Sequence, residues 1–399
     1  MKAGMEEERN LKKELGYRLY ALIYRISCLF PLRQNQVFSI MTHDPSENGN
    51  VRRLERYMKK QQVTPPYRFT SLTKGERNQM TQTGGQQSAL LSFFLKKPWQ
   101  MARAEYILMD NAFLPMAYLH IRRRTKVVQL WHGTGTIKKF GQDATKGWLH
   151  EKERRINQNI THLIVNAPAL IEQYAQAFAV PPDRTYATGL PRTDALIEQI
   201  RQQEGKEKKE GLLESYPQLS GKKLLLYAPT WRDTEQDAPR LHVDIETLCQ
   251  HLPKDYAVLL RLHPFVAEAY EKQNKKKIDR CCLVSEYPDL IELMCCSDAL
   301  ITDYSSIIFD YVLLNKPIYF CTDDLQEFSD SGRGFYQPYE SFVPGPVTSD
   351  AVHLAEQIRT DCASQEKWRS RREEFTKHYY EKQDGRAAER IYELIAERK

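Results

Sequence analysis

Short apolar runs, most closing on a polar residue and separated by amphipathic stretches, recur along most of this chain and leave few folds open. They fall at residues 37–41, 67–72, 106–109, 127–131, 163–165 and 185–187, then at 223–227, 257–262, 282–285, 299–302 and 318–321. Amphipathic stretches such as 51–60 and 167–178 lie between them. A strand buried on both faces reads as unbroken apolar sequence, and a covering helix shows one apolar stripe. The alternation therefore predicts an α/β chain of parallel sheets wrapped by helices. A charged, weakly apolar stretch at 201–210 interrupts it, which puts a domain boundary near 190–215. The simplest architecture is two Rossmann-like domains facing a cleft, with the carboxyl ends of their strands converging there. The expected spans are 1–33 for an N-terminal amphipathic helix, 34–195 and 215–365 for the two domains, and 366–399 for C-terminal helices. A polar tract from Thr73 to Ser88, with Gly84-Gly85, reads as a long loop.

In the first span Leu15, Leu19, Leu22, Ile26 and Leu29 step by four, three, four and three, with Ile23 and Phe30 beside them. Tyr17, Tyr20 and Tyr24 fall on the opposite side, and Arg18 and Arg25 on a flank. Two readings are equally open: a helix lying in a membrane interface, or one packed on the first domain. No apolar run approaches the roughly 20 residues that span a bilayer. The acidic start carries no secretory signal pattern. The 58 basic and 52 acidic residues leave a net charge of +6, a mild excess that permits attraction to an anionic lipid or polyanionic product. The basic runs lack interleaved aromatics, so no nucleic-acid partner is expected. Eight cysteines without C-x-x-C spacing read as reduced thiols, and no metal site is assigned.

Five strand exits carry the residues suited to chemistry. In the densest, 300–302 runs into Asp303-Tyr304-Ser305-Ser306 and then into a helix pattern. Thr302, Asp303, Ser305 and Ser306 there exceed what a simple N-cap needs, and together they suit a phosphate. In the second, 127–131 ends in His132-Gly133-Thr134-Gly135, with Lys138 and Lys139 beyond. Imidazole is the side chain best matched to taking a proton near neutral pH, though His132 could equally order its turn. The others are Arg261-Leu262-His263-Pro264, Thr230-Trp231-Arg232-Asp233 and Gly189-Leu190-Pro191-Arg192-Thr193-Asp194. Arg192 and Arg232 are candidates to grip phosphate oxygens. The P-loop, dinucleotide-binding and nucleophile-elbow signatures are missing from the sequence, as are D-x-D metal clusters.

These motifs, in order from about Val127 to the C-terminus and including Asp384-Gly385-Arg386-Ala387-Ala388-Glu389-Arg390, resemble those of the CDP-glycerol glycerophosphotransferases of teichoic acid synthesis. Residues 1–124 match that family only in general layout. The resemblance implies a GT-B-like pair of domains, with acceptor binding in 34–195 and CDP-glycerol binding in 215–365. It implies work at the cytoplasmic face of the membrane, as a peripheral protein, on an undecaprenyl-linked acceptor. CDP-glycerol is then the donor substrate, no resident cofactor is assigned, and a divalent metal stays open. A divalent metal bridging the donor phosphates would leave no motif. The family pattern makes His132 the general base and His263 a donor to the pyrophosphate. Thr302, Ser305 and Ser306 would hold phosphates, with Arg192 and Arg232 as further phosphate residues. Gly133, Thr230, Asp303 and Asp194 complete the candidate set.

Three questions stay open at this level: CDP-glycerol or CDP-ribitol, primase or polymerase, and the oligomeric state. The rival functions are a GT-B glycosyltransferase using a nucleotide sugar and a non-catalytic, membrane-docked scaffold of wall synthesis.

Overall fold

The computed structural model describes residues 2–81, 87–202, 205–232, 235, 239–273, 278–331 and 334–397. Gly84-Gly85 and Asp233 lie outside them. The chain divides into two compact units. The first comprises Met1–Gly133, Phe140–Asp194 and Asp384–Lys399, and the second comprises Thr134–Lys139 and Ala195–Gln383.

The first unit is built on six strands: β1 (Arg33–Met41), β2 (Arg68–Thr73), β3 (Ala104–Met109), β4 (Lys126–Gln129), β5 (His162–Val165) and β6 (Thr185–Ala187). Their order is β2-β1-β3-β4-β5-β6, with every pair parallel. The central strands are buried on both faces, which is why they read as apolar runs. Ile391 and Ile395, on the helix Ala387–Ala396, pack against Val37, Tyr106, Val128 and Ile164. The last helix therefore completes the core of the first unit, while Glu366–Tyr379 belongs to the second.

The second unit carries β7 (Lys223–Tyr227), β8 (Tyr256–Leu260), β9 (Cys281–Leu283), β10 (Ala299–Thr302), β11 (Ile318–Cys321) and β12 (Val347–Thr348). They are again all parallel, in the order β12-β11-β10-β7-β8-β9. Two parallel six-stranded sheets with covering helices make this a GT-B-like architecture. In an open α/β sheet of this kind, ligands bind outside the carboxyl ends of the strands where the strand order reverses. That point lies between β1 and β3 in the first sheet and between β7 and β10 in the second.

Three local expectations change. Lys74–Thr81, inside the expected loop, is helical and anchored at its start by Glu76, whose carboxylate accepts the Thr73 N–H at 2.9 Å. The charged stretch near 201–210 is largely taken up by the helices Pro191–Arg201 and Gly205–Ser215. The N-terminal helix, Lys2–Ser27, stops short of Leu29 and Phe30.

That helix lies tyrosine side in and leucine side out. Tyr20 and Tyr24 are 0% and 2% exposed, whereas Leu15, Leu19, Leu22 and Ile26 are 72%, 46%, 52% and 50% exposed. The Tyr20 ring packs on Phe93 and Phe113. Glu14 fixes the helix from its flank, accepting from Trp148 Nε1 at 2.8 Å and pairing with Lys152 Nζ at 2.9 Å. Among the described residues no helix is long and apolar enough to cross a membrane.

Candidate functional site

In the first unit three strand exits meet around His132. The Asp110 carboxylate, just past β3, accepts the backbone N–H groups of Thr42 at 3.0 Å, His43 at 3.3 Å and Asp44 at 2.8 Å. These bonds tie the β1 exit to the β3 exit. Burial pushes the Asp110 carboxyl up, the three N–H donors oppose it, and the net direction is up. Past β4, Trp131 takes a left-handed conformation with φ +52°. Such backbone strain persists only where the surroundings hold it. Asn50 supplies that hold by donating to the Trp131 carbonyl at 2.9 Å and accepting the Arg192 N–H at 2.9 Å.

The turn aims the histidine. His132 Nδ1 lies 2.9 Å from the Asp110 main-chain carbonyl, which can only accept. Nδ1 therefore carries a proton, and in the neutral form of the ring the lone pair falls on Nε2, the tautomer a general base requires. The His43 ring lies on one face, with centroids 3.6 Å apart and planes at 17°. The Trp131 ring lies 4.0 Å from His132. Tyr174 Oη donates to the Gly133 carbonyl at 3.1 Å, and Arg192 Nη1 donates to the His132 carbonyl at 3.2 Å.

Asp194 has a different place. It is buried and accepts the N–H groups of Ala387 and Ala388, both at 3.0 Å, so it caps the last helix. Arg390 donates to the Thr188 carbonyl at 2.8 Å and pairs with Asp384 at 2.7 Å. Gly189, at φ +83°, leaves a Cβ only 3.1 Å from the Ala387 methyl. The Gly-Leu-Pro-Arg-Thr-Asp and Asp-Gly-Arg-Ala-Ala-Glu-Arg motifs therefore pack on each other. Arg192, in the first of these motifs, is partly exposed and reaches the His132 carbonyl.

In the second unit the exits of β10, β7 and β8 are joined in the same way. Asp303 accepts the Thr230 N–H at 2.8 Å, and Thr302 Oγ1 donates to the Ala228 carbonyl at 2.7 Å. The His263 ring stacks on Trp231 at 4.8 Å. Lys138 Nζ approaches Thr230 Oγ1 at 3.5 Å. Gly135, at φ +74°, lies against Phe309, whose ring a Cβ would meet at 2.0 Å.

Burial sorts the expected phosphate residues. Thr302 and Asp303 are fully enclosed, and the Arg232 guanidinium is bonded to Asp303 at 2.6 Å, to Asp324 at 2.9 and 3.1 Å, and to the Thr230 carbonyl at 2.6 Å. Burial alone would push Arg232 down, but the two carboxylates reverse that and hold it firmly charged. The expectation that Thr302 and Arg232 reach a phosphate thus meets side chains already spent on the protein. Ser305 and Ser306 remain half-exposed at the strand exit.

His43, Asp110 and Asn50 were absent from the sequence candidates. The signals available were two further polar strand exits, Thr42-His43-Asp44 after β1 and Asp110-Asn111 after β3.

Residues 22–397 match the CDP-glycerol:poly(glycerophosphate) glycerophosphotransferase family. The chain belongs to this family. It is a transferase of teichoic acid biosynthesis. It is 33% identical over 384 residues to the teichoic acid ribitol-phosphate primase of Bacillus spizizenii, covering 93% of each chain. It is 30% identical over 400 residues to the teichoic acid poly(ribitol-phosphate) polymerase of the same organism, covering 98% of this chain and 61% of that one. Among solved structures, the wall teichoic acid polymerase TagF in its H444N variant matches with a TM-score of 0.78 at 23% identity, over 98% of this chain and 96% of that one.

A metal bridging the donor phosphates would need free ligands. Among the described residues His242, Asp323 and Asp324 form the one candidate group, with ligand atoms within 4.8 Å of one another. His242 Nδ1 lies 2.6 Å from Asp323 and Nε2 lies 3.2 Å from Glu235. Carboxylates only accept, so both ring nitrogens donate and neither keeps a lone pair for a metal. Burial pushes His242 down, but the Asp323 hydrogen bond leads a net upward shift. Asp324 is occupied by Arg232 and by Tyr304 Oη at 2.9 Å. The group is an ion-pair network and does not fit a metal.

Proposed function

We propose that this chain transfers glycerol phosphate from CDP-glycerol to a hydroxyl of a lipid-linked teichoic acid acceptor and releases CMP. The observation that carries the reading is the His132 Nδ1–Asp110 carbonyl bond, which leaves Nε2 able to take a proton. The acceptor oxygen attacks the phosphorus that bears glycerol, its proton passes to His132 Nε2, and the bond to the CMP phosphate breaks with its electron pair leaving on CMP. Such a step needs positioning and charge neutralisation more than covalent help from the protein. Ser305 and Ser306 hold the donor phosphates, with His263 donating to the pyrophosphate. Arg232, Asp303 and Thr302 keep that loop in shape, and Arg192 stands as a cation beside His132.

The N-terminal helix docks the enzyme on the cytoplasmic face of the membrane. Its exposed Leu15, Leu19, Leu22 and Ile26, with Tyr20 and Tyr24 buried behind them, support an interfacial role. Leu90, Leu91 and Leu95 are exposed as well.

Two ribitol-phosphate relatives favour a second reading, in which the donor is CDP-ribitol. The test is CMP release from each donor, with and without a lipid-linked disaccharide acceptor. Acceptor-dependent release from CDP-glycerol supports the first reading, and release from CDP-ribitol alone the second. Release from neither would return the question to nucleotide sugars or to a scaffold role.

A further inference from the structure

We propose that His43 is a positioning residue for the transfer step, holding the His132 imidazole in place. The inference rests on His132 being the base.

The two rings lie face to face, with centroids 3.6 Å apart and planes at 17°. A ring fixed at Nδ1 by one hydrogen bond can still rock about that bond. Contact with the His43 face and with the Trp131 ring, 4.0 Å away, restricts that freedom and so fixes where Nε2 points. His43 is itself fixed at the backbone, where its N–H donates to the Asp110 carboxylate at 3.3 Å. Asp110 thus orients both histidines, one through its side chain and one through its main-chain carbonyl. His43 follows β1 and His132 follows β4, on the two sides of the point where the order of the first sheet reverses.

The test compares His43→Ala and His43→Phe with the parent in acceptor-dependent CMP release. His43→Ala should lower kcat about tenfold or more with the donor KM unchanged, because the ring loses its support. His43→Phe restores a flat face and should recover most of kcat. Circular dichroism and the melting temperature identify a variant that fails to fold, and His43→Phe carries the test if His43→Ala does. Parent-like kcat in His43→Ala, or a kcat in His43→Phe as low as in His43→Ala, would overturn the proposal. His132→Ala is run alongside. If it keeps full turnover, the base assignment fails and takes this proposal with it. If it is inactive while both His43 variants behave like the parent, only the role of His43 falls.

Discussion

Arg232 and Asp303 form an ion pair 2.6 Å long between side chains only 3% and 2% exposed. With Asp324 and the Thr230 carbonyl it binds the exits of β7, β10 and β11 into one post. Removing one partner of such a pair leaves a buried charge unpaired and costs about 3–5 kcal/mol. Arg232→Ala should lower the stability of the second unit by that amount, and Arg232→Lys should also lose stability because a lysine cannot make the forked contacts. Thermal and urea unfolding measure this. Parent-like unfolding in both would show that the network is not what holds the loop.

Ser305 and Ser306 are the half-exposed hydroxyls of that loop. A hydrogen bond to a charged phosphate is worth about 1.5–3 kcal/mol. The double variant Ser305→Ala/Ser306→Ala should therefore bind CDP-glycerol more weakly by at least about tenfold, with its melting temperature within a few degrees of the parent. Calorimetric titration in the His132→Ala background, where no turnover consumes the donor, gives the number. Unchanged affinity would place the phosphates elsewhere.

His132→Ala should reduce kcat by about 10²- to 10⁴-fold, the usual contribution of a positioned general base. Donor affinity should stay within about twofold of the parent, because binding and proton removal are assigned to different groups. Equal losses in both would mean that His132 holds substrate instead.

Glu14 sets an acid limit on the N-terminal helix. The Trp148 hydrogen bond, then Lys152, draws its carboxyl down to about 2. A carboxylate whose folded value is depressed stabilises the folded form above its unfolded value, near 4.3, and loses that contribution as pH falls toward the folded value. The helix should therefore loosen between about pH 4 and 2, reported by the emission of Trp148, whose Nε1 donates to Glu14. Glu14→Gln should remove this transition. A transition of the same midpoint in the variant would assign it to another group.

The exposed stripe predicts binding to vesicles. Moving one leucine side chain out of water contributes about 1.5–3 kcal/mol. Leu19→Asp/Leu22→Asp should weaken binding to anionic vesicles at least about a hundredfold in sedimentation, while turnover on a water-soluble acceptor analogue stays near the parent's. Undiminished vesicle binding would move the membrane contact off this helix.

The strands were legible because burial on both faces forces apolar runs: 185–187, 223–227, 299–302 and 318–321 read from the residues have the bounds of the folded strands. β12, two residues long, left no run to find. Lys74–Thr81 was misread because a polar exposed helix and a loop have similar composition.

The sequence by itself determined the α/β class, the strand exits where His132, His263 and Ser305-Ser306 stand, and the family, because these follow from local order and residue type. Only the tertiary structure decided which polar groups are spent and which are open. Asp194 caps a helix nearly two hundred residues away, Arg232 is enclosed by carboxylates from two other strand exits, and His43 meets His132 across the reversal of the sheet order. Hydrogen bonds and ring contacts between distant segments exist only once the strands are placed side by side, and no spacing along the chain encodes them directly.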